Sequence, residues 1–150
     1  MDIYKQNLII KKLEFSLTND QIKTLNEINN DLSSSNKMFR LLQGDVGSGK
    51  TIVSLLAAYN SINSGFQVAV MAPTEILARQ HYTLAKKIFP KNLNVEIISG
   101  KSDSKLKKII LKKLLNHEID IIFGTHAMFQ KKVNFKKLGL IIIDEQHKFG

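Results

Sequence analysis

An α/β domain with a mostly parallel sheet, covered by helices on both faces, is the fold this sequence predicts. Three observations carry it. Compact runs of Val, Ile, Leu and Ala alternate with stretches whose apolar residues recur at helical spacing. The runs are nearly continuous in apolar residues, as strands buried on both faces require. Gly, Pro or polar clusters fall between the elements, where turns belong. Strand and helix alternate to the end of the chain without an internal repeat, so crossovers are right-handed and ligands are expected at the carboxyl ends of the strands.

From Thr18, the apolar residues Ile22, Leu25, Ile28 and Leu32 recur at roughly helical spacing, with Thr18 in the N-cap place and Ser33-Ser34-Ser35-Asn36 closing the segment. Phe39 to Gln43 reads as a short strand. A glycine loop follows from Gly44 to Gly49, and then Ile52, Leu55, Leu56, Tyr59 and Ile62 pattern a helix. Gly65 fits the C′ stop of that helix, and Phe66 to Ala72 is a buried strand ended by Pro73. Ile76, Leu77, Leu84, Ile88 and Phe89 pattern the next helix, which Pro90 ends. Val95 to Ile98 makes a strand and Gly100 turns the chain. Leu106, Ile109, Ile110, Leu114 and Leu115 form the apolar stripe of a helix from Ser102 to Asn116, and Lys101, Lys105, Lys107, Lys108, Lys112 and Lys113, which border or occupy it mostly opposite that stripe, read as a solvated face. Ile119 to Phe123 is the next strand, and Leu138 to Ile143 the last before Asp144.

A length of 150 residues suits one domain with a full core. The net charge of +9 favours a polyanionic partner or ligand, while 43% hydrophobic and 23% charged residues describe a folded protein rather than a basic tail. Only Arg40 and Arg79 are arginines, so phosphates must be met by lysines or backbone amides. Cysteine is absent, which excludes disulfides, thiolate zinc sites and cysteine nucleophiles. His81, His117, His126 and His147 show no metal-site spacing. No signal-peptide core lies between Met1 and Ser16, and no apolar run could span a membrane, so the chain reads as soluble and cytoplasmic.

Gly44-Asp45-Val46-Gly47-Ser48-Gly49-Lys50-Thr51 matches G-x-x-x-x-G-K-[ST] between a predicted strand and a predicted helix, the context that makes a phosphate-binding loop credible. The glycines let successive N–H groups curl around phosphate oxygens, and the helix amino terminus adds its positive end. Lys50 reaches the terminal phosphates and Thr51 offers a hydroxyl to Mg²⁺. Asp144 and Glu145 follow a buried strand and form a Walker-B pair: Asp144 for Mg²⁺, Glu145 to orient and deprotonate the attacking water. Lys50, Asp144 and Glu145 are thus the predicted catalytic residues. Neither the N-K-x-D base reader of regulatory GTPases nor the L-S-G-G-Q signature of ABC ATPases is present, which favours a different class of ATPase.

Leu41 to Thr51, Met71-Ala72-Pro73-Thr74-Glu75-Ile76-Leu77-Ala78, Gly124-Thr125-His126-Ala127 and Asp144-Glu145-Gln146-His147-Lys148-Phe149-Gly150 together resemble the RecG-type ATP-dependent DNA helicases of superfamily two, in order and in spacing. The resemblance runs from about Phe15 to Gly150 and implies a RecA-like P-loop fold. Gln146 favours this family over the related transcription-repair coupling translocases, which typically show Glu there. Residue by residue, it implies that Phe15 and Gln21 meet adenine, although Thr18-x-x-Gln21 is also a capping box. Pro73, Thr74 and Glu75, with Gly124, Thr125 and His126, would hold DNA phosphates; N-capping by Thr74 and Thr125 is the structural alternative. Gln146 and His147 would couple nucleotide state to a second lobe and to DNA.

The implied organisation is a lead-in over residues 1–14 and a first ATP-binding lobe over 15–150, incomplete after the Walker-B strand. The second lobe, its arginine finger and a wedge domain would lie elsewhere in a longer chain. Because such an arginine is worth about 10³–10⁵ in rate, the segment alone is expected to bind Mg·ATP weakly and hydrolyse it negligibly. The implied function is ATP-driven remodelling of branched DNA in repair and recombination. The alternatives are a transcription-coupled translocase, or an idle nucleotide- or DNA-binding remnant should 150 residues be the whole protein.

Overall fold

A computed structural model describes residues 39–43, 48–131 and 133–144. The predicted first helix from Thr18, together with Phe15, Gln21, Gly44, Asp45, Val46, Gly47, Glu145, Gln146 and His147, lies outside the described residues. Within them the order is β1 (Phe39–Gln43), α1 (Ser48–Asn63), β2 (Gln67–Ala72), α2 (Glu75–Ile88), β3 (Val95–Ile97), α3 (Ser104–Leu115), β4 (Ile121–Thr125), α4 (His126–Gln130) and β5 (Leu138–Asp144). The five strands form one sheet in the order β1-β5-β2-β4-β3, with every neighbouring pair parallel.

That order follows from crossover handedness. The chain steps from β1 to β2 to β3 in one direction across the sheet, and right-handed crossovers keep α1 and α2 on one face. It then returns through β4 to β5, so α3 and α4 fall on the other face. Side-chain parity agrees. Val68, Val70, Ile121, Phe123, Leu140 and Ile142 pack with Ile52, Leu55 and Leu56 of α1 and with Ala85 and Ile88 of α2. Ala69 and Ile122 face the opposite way, into a second cluster with Ile110 and Leu114 of α3 and Met128 of α4. Helix α1 is buried from Ile52 to Ile62 and has few charged side chains to place in solvent. Helix α2 is amphipathic: Thr74 caps its first turn, where Glu75 complements the helix dipole, and Lys86 and Lys87 do so in the last turn.

The amino-terminal edge of the sheet is fastened by Gln67, which is fully buried. Its Nε2 donates to the carbonyls of Leu114 and Ile119, each at 2.9 Å, and its Oε1 accepts from the Lys137 amide at 2.9 Å. Beside it, Gly139 passes so close to Phe66 that an added Cβ would lie 2.5 Å from the Phe66 Cβ. The Phe66 ring in turn carries the Lys137 ammonium 4.8 Å from its centroid. Gly139→Ala therefore forces the β5 backbone and Phe66 apart, a change that costs about 1–3 kcal/mol. The expected result is a lower urea midpoint at unchanged slope; a midpoint equal to that of the native protein would contradict this packing.

The sequence-based boundaries need several corrections. The strand expected at Ile119 to Phe123 runs instead from Ile121 to Thr125. The Ile119 carbonyl is taken by Gln67, and the Asp120 amide donates to the Asn94 carbonyl, so the ladder to β2 starts at Ile121. It continues through Gly124 because a glycine fits there: an added Cβ would lie 2.9 Å from Phe129 and 3.0 Å from Ile98. The stripe expected on α3 is narrower than five residues. Ile110 and Leu114 are buried, whereas Leu106, Ile109 and Leu115 are 46%, 45% and 52% exposed. Helix α3 stops in a Schellman turn in which the His117 amide donates to Leu114 and the Glu118 amide to Lys113, with His117 at φ 61°. Helix α4 is an element that periodicity could not register, since five residues hold too little of a helical repeat. Gly65, by contrast, takes the expected C′ position at φ 94°.

Candidate functional site

The carboxyl edge of the sheet divides into two halves. In the first, β1 and β5 are direct neighbours, and Gln43 pairs with Asp144. Gln43 is the residue before the glycine loop, so the register brings the base of that loop alongside the carboxylate. Helix α1 opens at Ser48, which places Ser48, Gly49, Lys50 and Thr51 in its first turn, where helical N–H groups lack intrahelical acceptors. Asp144 is completely buried. Its parity with Leu140 and Ile142 turns it to the α1 and α2 face rather than toward α3.

On that face it meets His81 of α2, whose Nε2 lies 2.9 Å from Asp144 Oδ2. A carboxylate only accepts, so the imidazole donates from Nε2. His81 is 7% exposed and shares the buried side of α2 with Ala78, Ala85 and Ile88. Sequence reasoning left this histidine unassigned for want of a second metal-spaced ligand. A usable signal was present: positions 78, 81, 85 and 88 form one helical face, and a polar ring on a buried face requires a buried partner.

The second half of the edge is built by β2, β4 and β3. Ala72 and Thr125 pair across β2 and β4, so the turns that follow the two strands are adjacent. Thr74 Oγ1 accepts from the Leu77 amide at 3.2 Å and Thr125 Oγ1 from the Met128 amide at 3.3 Å, which makes both residues N-caps. Capping uses an oxygen lone pair and leaves the hydroxyl proton for another acceptor. Pro73 is exposed, Gly124 is buried, and His126 opens α4 with its Nε2 buried and without a hydrogen-bond partner.

Glu75 is engaged internally. Its Oε1 accepts from Ser99 Oγ at 2.7 Å and from the Gly100 amide at 2.9 Å, tying the turn after β3 to the start of α2. The Ser99 hydroxyl, the Gly100 amide and the nearby Lys101 and Arg79 charges hold its pKa below the ordinary 4.5. An open groove of about 610 Å³ runs along the outer side of α2 from Glu75, with Ile76 and Leu84 as apolar lining and Arg79, Lys87 and Lys101 as cations. Among the described residues, no group of three or more His, Asp or Glu side chains could hold a metal ion, and no helix is long and apolar enough to cross a membrane.

The profile of the DEAD/DEAH box helicase family matches residues 18–150. The chain belongs to this family. Membership in the DEAD/DEAH box helicases implies nucleotide use, which fits a sheet edge where β1, the strand before the glycine-rich segment, lies beside β5, the strand that ends in Asp144. The chain is 51% identical over 142 residues to the ATP-dependent DNA helicase RecG of Thermotoga maritima, covering 94% of this chain and 18% of the relative. Against RecG of Bacillus subtilis the identity is also 51% over 142 residues, with 94% and 21% covered. RecG of Streptococcus pneumoniae is 49% identical over 138 residues, with 92% and 20% covered. A solved structure of RecG bound to a three-way DNA junction superposes with a TM-score of 0.87 at 46% identity, over 100% of this chain and 21% of that one. This DEAD/DEAH box chain thus spans about a fifth of the length of the curated relatives it matches.

Proposed function

We propose that this chain is the nucleotide-binding lobe of an ATP-dependent DNA helicase that remodels branched DNA in repair and recombination, in the cytoplasm. The observation that supports this most is the register of β1 against β5, which sets Asp144 beside the last residue before the phosphate loop. In this reading Lys50 and the amides of the loop from Gly44 through Asp45, Val46, Gly47, Ser48 and Gly49 hold the phosphates, and Phe15 and Gln21 meet adenine. The residues present also fit Mg²⁺. This cation is usually bound through one or two carboxylates plus substrate phosphates rather than by a full protein cage, and one buried carboxylate beside a phosphate loop is that donor set. Thr51 and Asp144 would hold it, and when bound it neutralises charge on the transferring phosphoryl group. Glu145 takes a proton from the attacking water.

DNA would run along the second half of the edge, where the Thr74 and Thr125 hydroxyls keep a proton to donate to phosphate after capping their helices. Pro73, Gly124 and His126 would line the same path. Glu75, being a carboxylate already tied to Ser99 and Gly100, would shape the path rather than contact phosphate. Gln146 and His147 would relay nucleotide state to the rest of a longer protein. The test is ATP hydrolysis by the complete gene product with forked, three-way and linear duplex DNA at equal nucleotide concentration. Branched DNA should stimulate hydrolysis several-fold more than linear duplex. Stimulation by none of the three would remove DNA remodelling as the function, and equal stimulation by all would remove the preference for branches.

A further inference from the structure

We infer that His81 is a positioning residue that fixes the orientation of the Asp144 carboxylate, the proposed Mg²⁺ ligand; this rests on the reading of Asp144 as a metal ligand. The two side chains are 63 positions apart in sequence and meet at 2.9 Å in a buried contact. Rotation of an aspartate about its terminal bond is broad and only two-fold, so a carboxylate at a strand end does not define its own plane. A fixed donor on one oxygen does define it. His81 supplies such a donor from a helix that is capped and packed against the sheet. Helix α2 is capped by Thr74 at one end, and Ala85 and Ile88 bury its other half against α1 and the sheet. The neighbouring Tyr82 ring packs edge-on against Phe123 of β4 at 6.1 Å between centroids.

The residue type is also informative. Arginine or lysine at this place would bring a permanent charge and compete with the cation for the carboxylate. An imidazole can give one hydrogen bond without adding a charge, from a planar ring with few rotamers. It therefore orders the carboxylate through a single hydrogen bond. Groups that hydrogen-bond a metal ligand and fix its orientation are worth about 10–100-fold in metal affinity when removed.

The test uses the complete gene product and a fluorescent ATP analogue, with binding measured over a Mg²⁺ titration for the native protein and for His81→Gln, His81→Asn, His81→Leu and Asp144→Asn. Glutamine can carry an N–H donor near the place of the imidazole Nε2, whereas asparagine is too short and leucine has no donor. The Asn and Leu variants should need about 10-fold more Mg²⁺ for half-maximal enhancement of nucleotide binding. Their affinity in the absence of Mg²⁺ should equal that of the native protein, and the Gln variant should stay within a few-fold of native throughout. If the Asn and Leu variants lose thermal stability but titrate with Mg²⁺ like the native protein, while Asp144→Asn loses its Mg²⁺ response, His81 is structural and the inference falls. If Asp144→Asn itself responds normally, Asp144 is not the metal ligand, and the underlying reading falls with it. Should the leucine variant not fold, the Asn and Gln pair decides alone.

Discussion

Lys50→Ala in the complete gene product lowers DNA-stimulated ATP hydrolysis by at least about 10²-fold and leaves binding to forked DNA within a few-fold of native. The expectation follows from where the residue stands. Lys50 lies in the first turn of α1, and β1 ends at Gln43, so only residues 44–47 separate the strand from the helix. A phosphate held there would meet helical N–H groups that have no intrahelical acceptor, and in the proposed role the Lys50 cation would follow the terminal phosphoryl group as charge develops on it. Alanine leaves the amides in place, so nucleotide still binds weakly, but charge developing in transit loses its partner. DNA contacts are proposed on the β2, β4 and β3 half of the edge, which the substitution does not touch. Steady-state hydrolysis and fork binding by fluorescence anisotropy separate the two. Simultaneous loss of both would show that Lys50 supports the fold or the DNA path instead.

Glu145→Gln is expected to stop the chemistry while sparing binding. It directly follows Asp144 in the sequence, the position proposed for the base that activates water. Removing a general base that activates water costs about 10²–10⁴-fold in rate. The amide keeps the size of the side chain, and the proposed metal ligand Asp144 is untouched, so Mg²⁺-dependent nucleotide affinity stays native. The variant then accumulates as a long-lived ATP-bound complex, seen as slow release of a fluorescent nucleotide and as persistent engagement of forked DNA. Loss of nucleotide binding would instead make Glu145 a ligand or a structural residue.

Much of the fold was legible because buried parallel strands announce themselves as apolar runs, and here Phe39 to Gln43, Phe66 to Ala72, Val95 to Ile98 and Leu138 to Ile143 all lie on observed strands to within a residue or two. Strand order was not legible, because it depends on where the chain reverses across the sheet, and no single residue records that. The face of α3 was misjudged for a similar reason. Leu106, Ile109 and Leu115 have the composition of a core stripe, yet only the arc through Ile110 and Leu114 reaches the sheet. For the candidate site, motif and context name Lys50, Thr51, Asp144 and Glu145 as expectations, of which the described side chains include only Asp144. They do not name His81, since its partner is 63 residues away and only the packed fold brings them together. Thr74 and Thr125 illustrate the remaining ambiguity: the residue that caps a helix at a sheet edge is also the residue best placed to meet a phosphate, and sequence spells both roles with the same letter.

The Gln67 amide has a mechanical consequence. Through one side chain it joins the end of α3, the approach to β4 and the approach to β5, and its own backbone amide donates to the Lys137 carbonyl at 2.7 Å. Three separate connections therefore share one anchor and cannot shift independently. A single substitution at Gln67 would unfasten all three at once. The anchor stands at the amino-terminal end of β2, at the opposite end of the strands from the edge where nucleotide and DNA are proposed to bind.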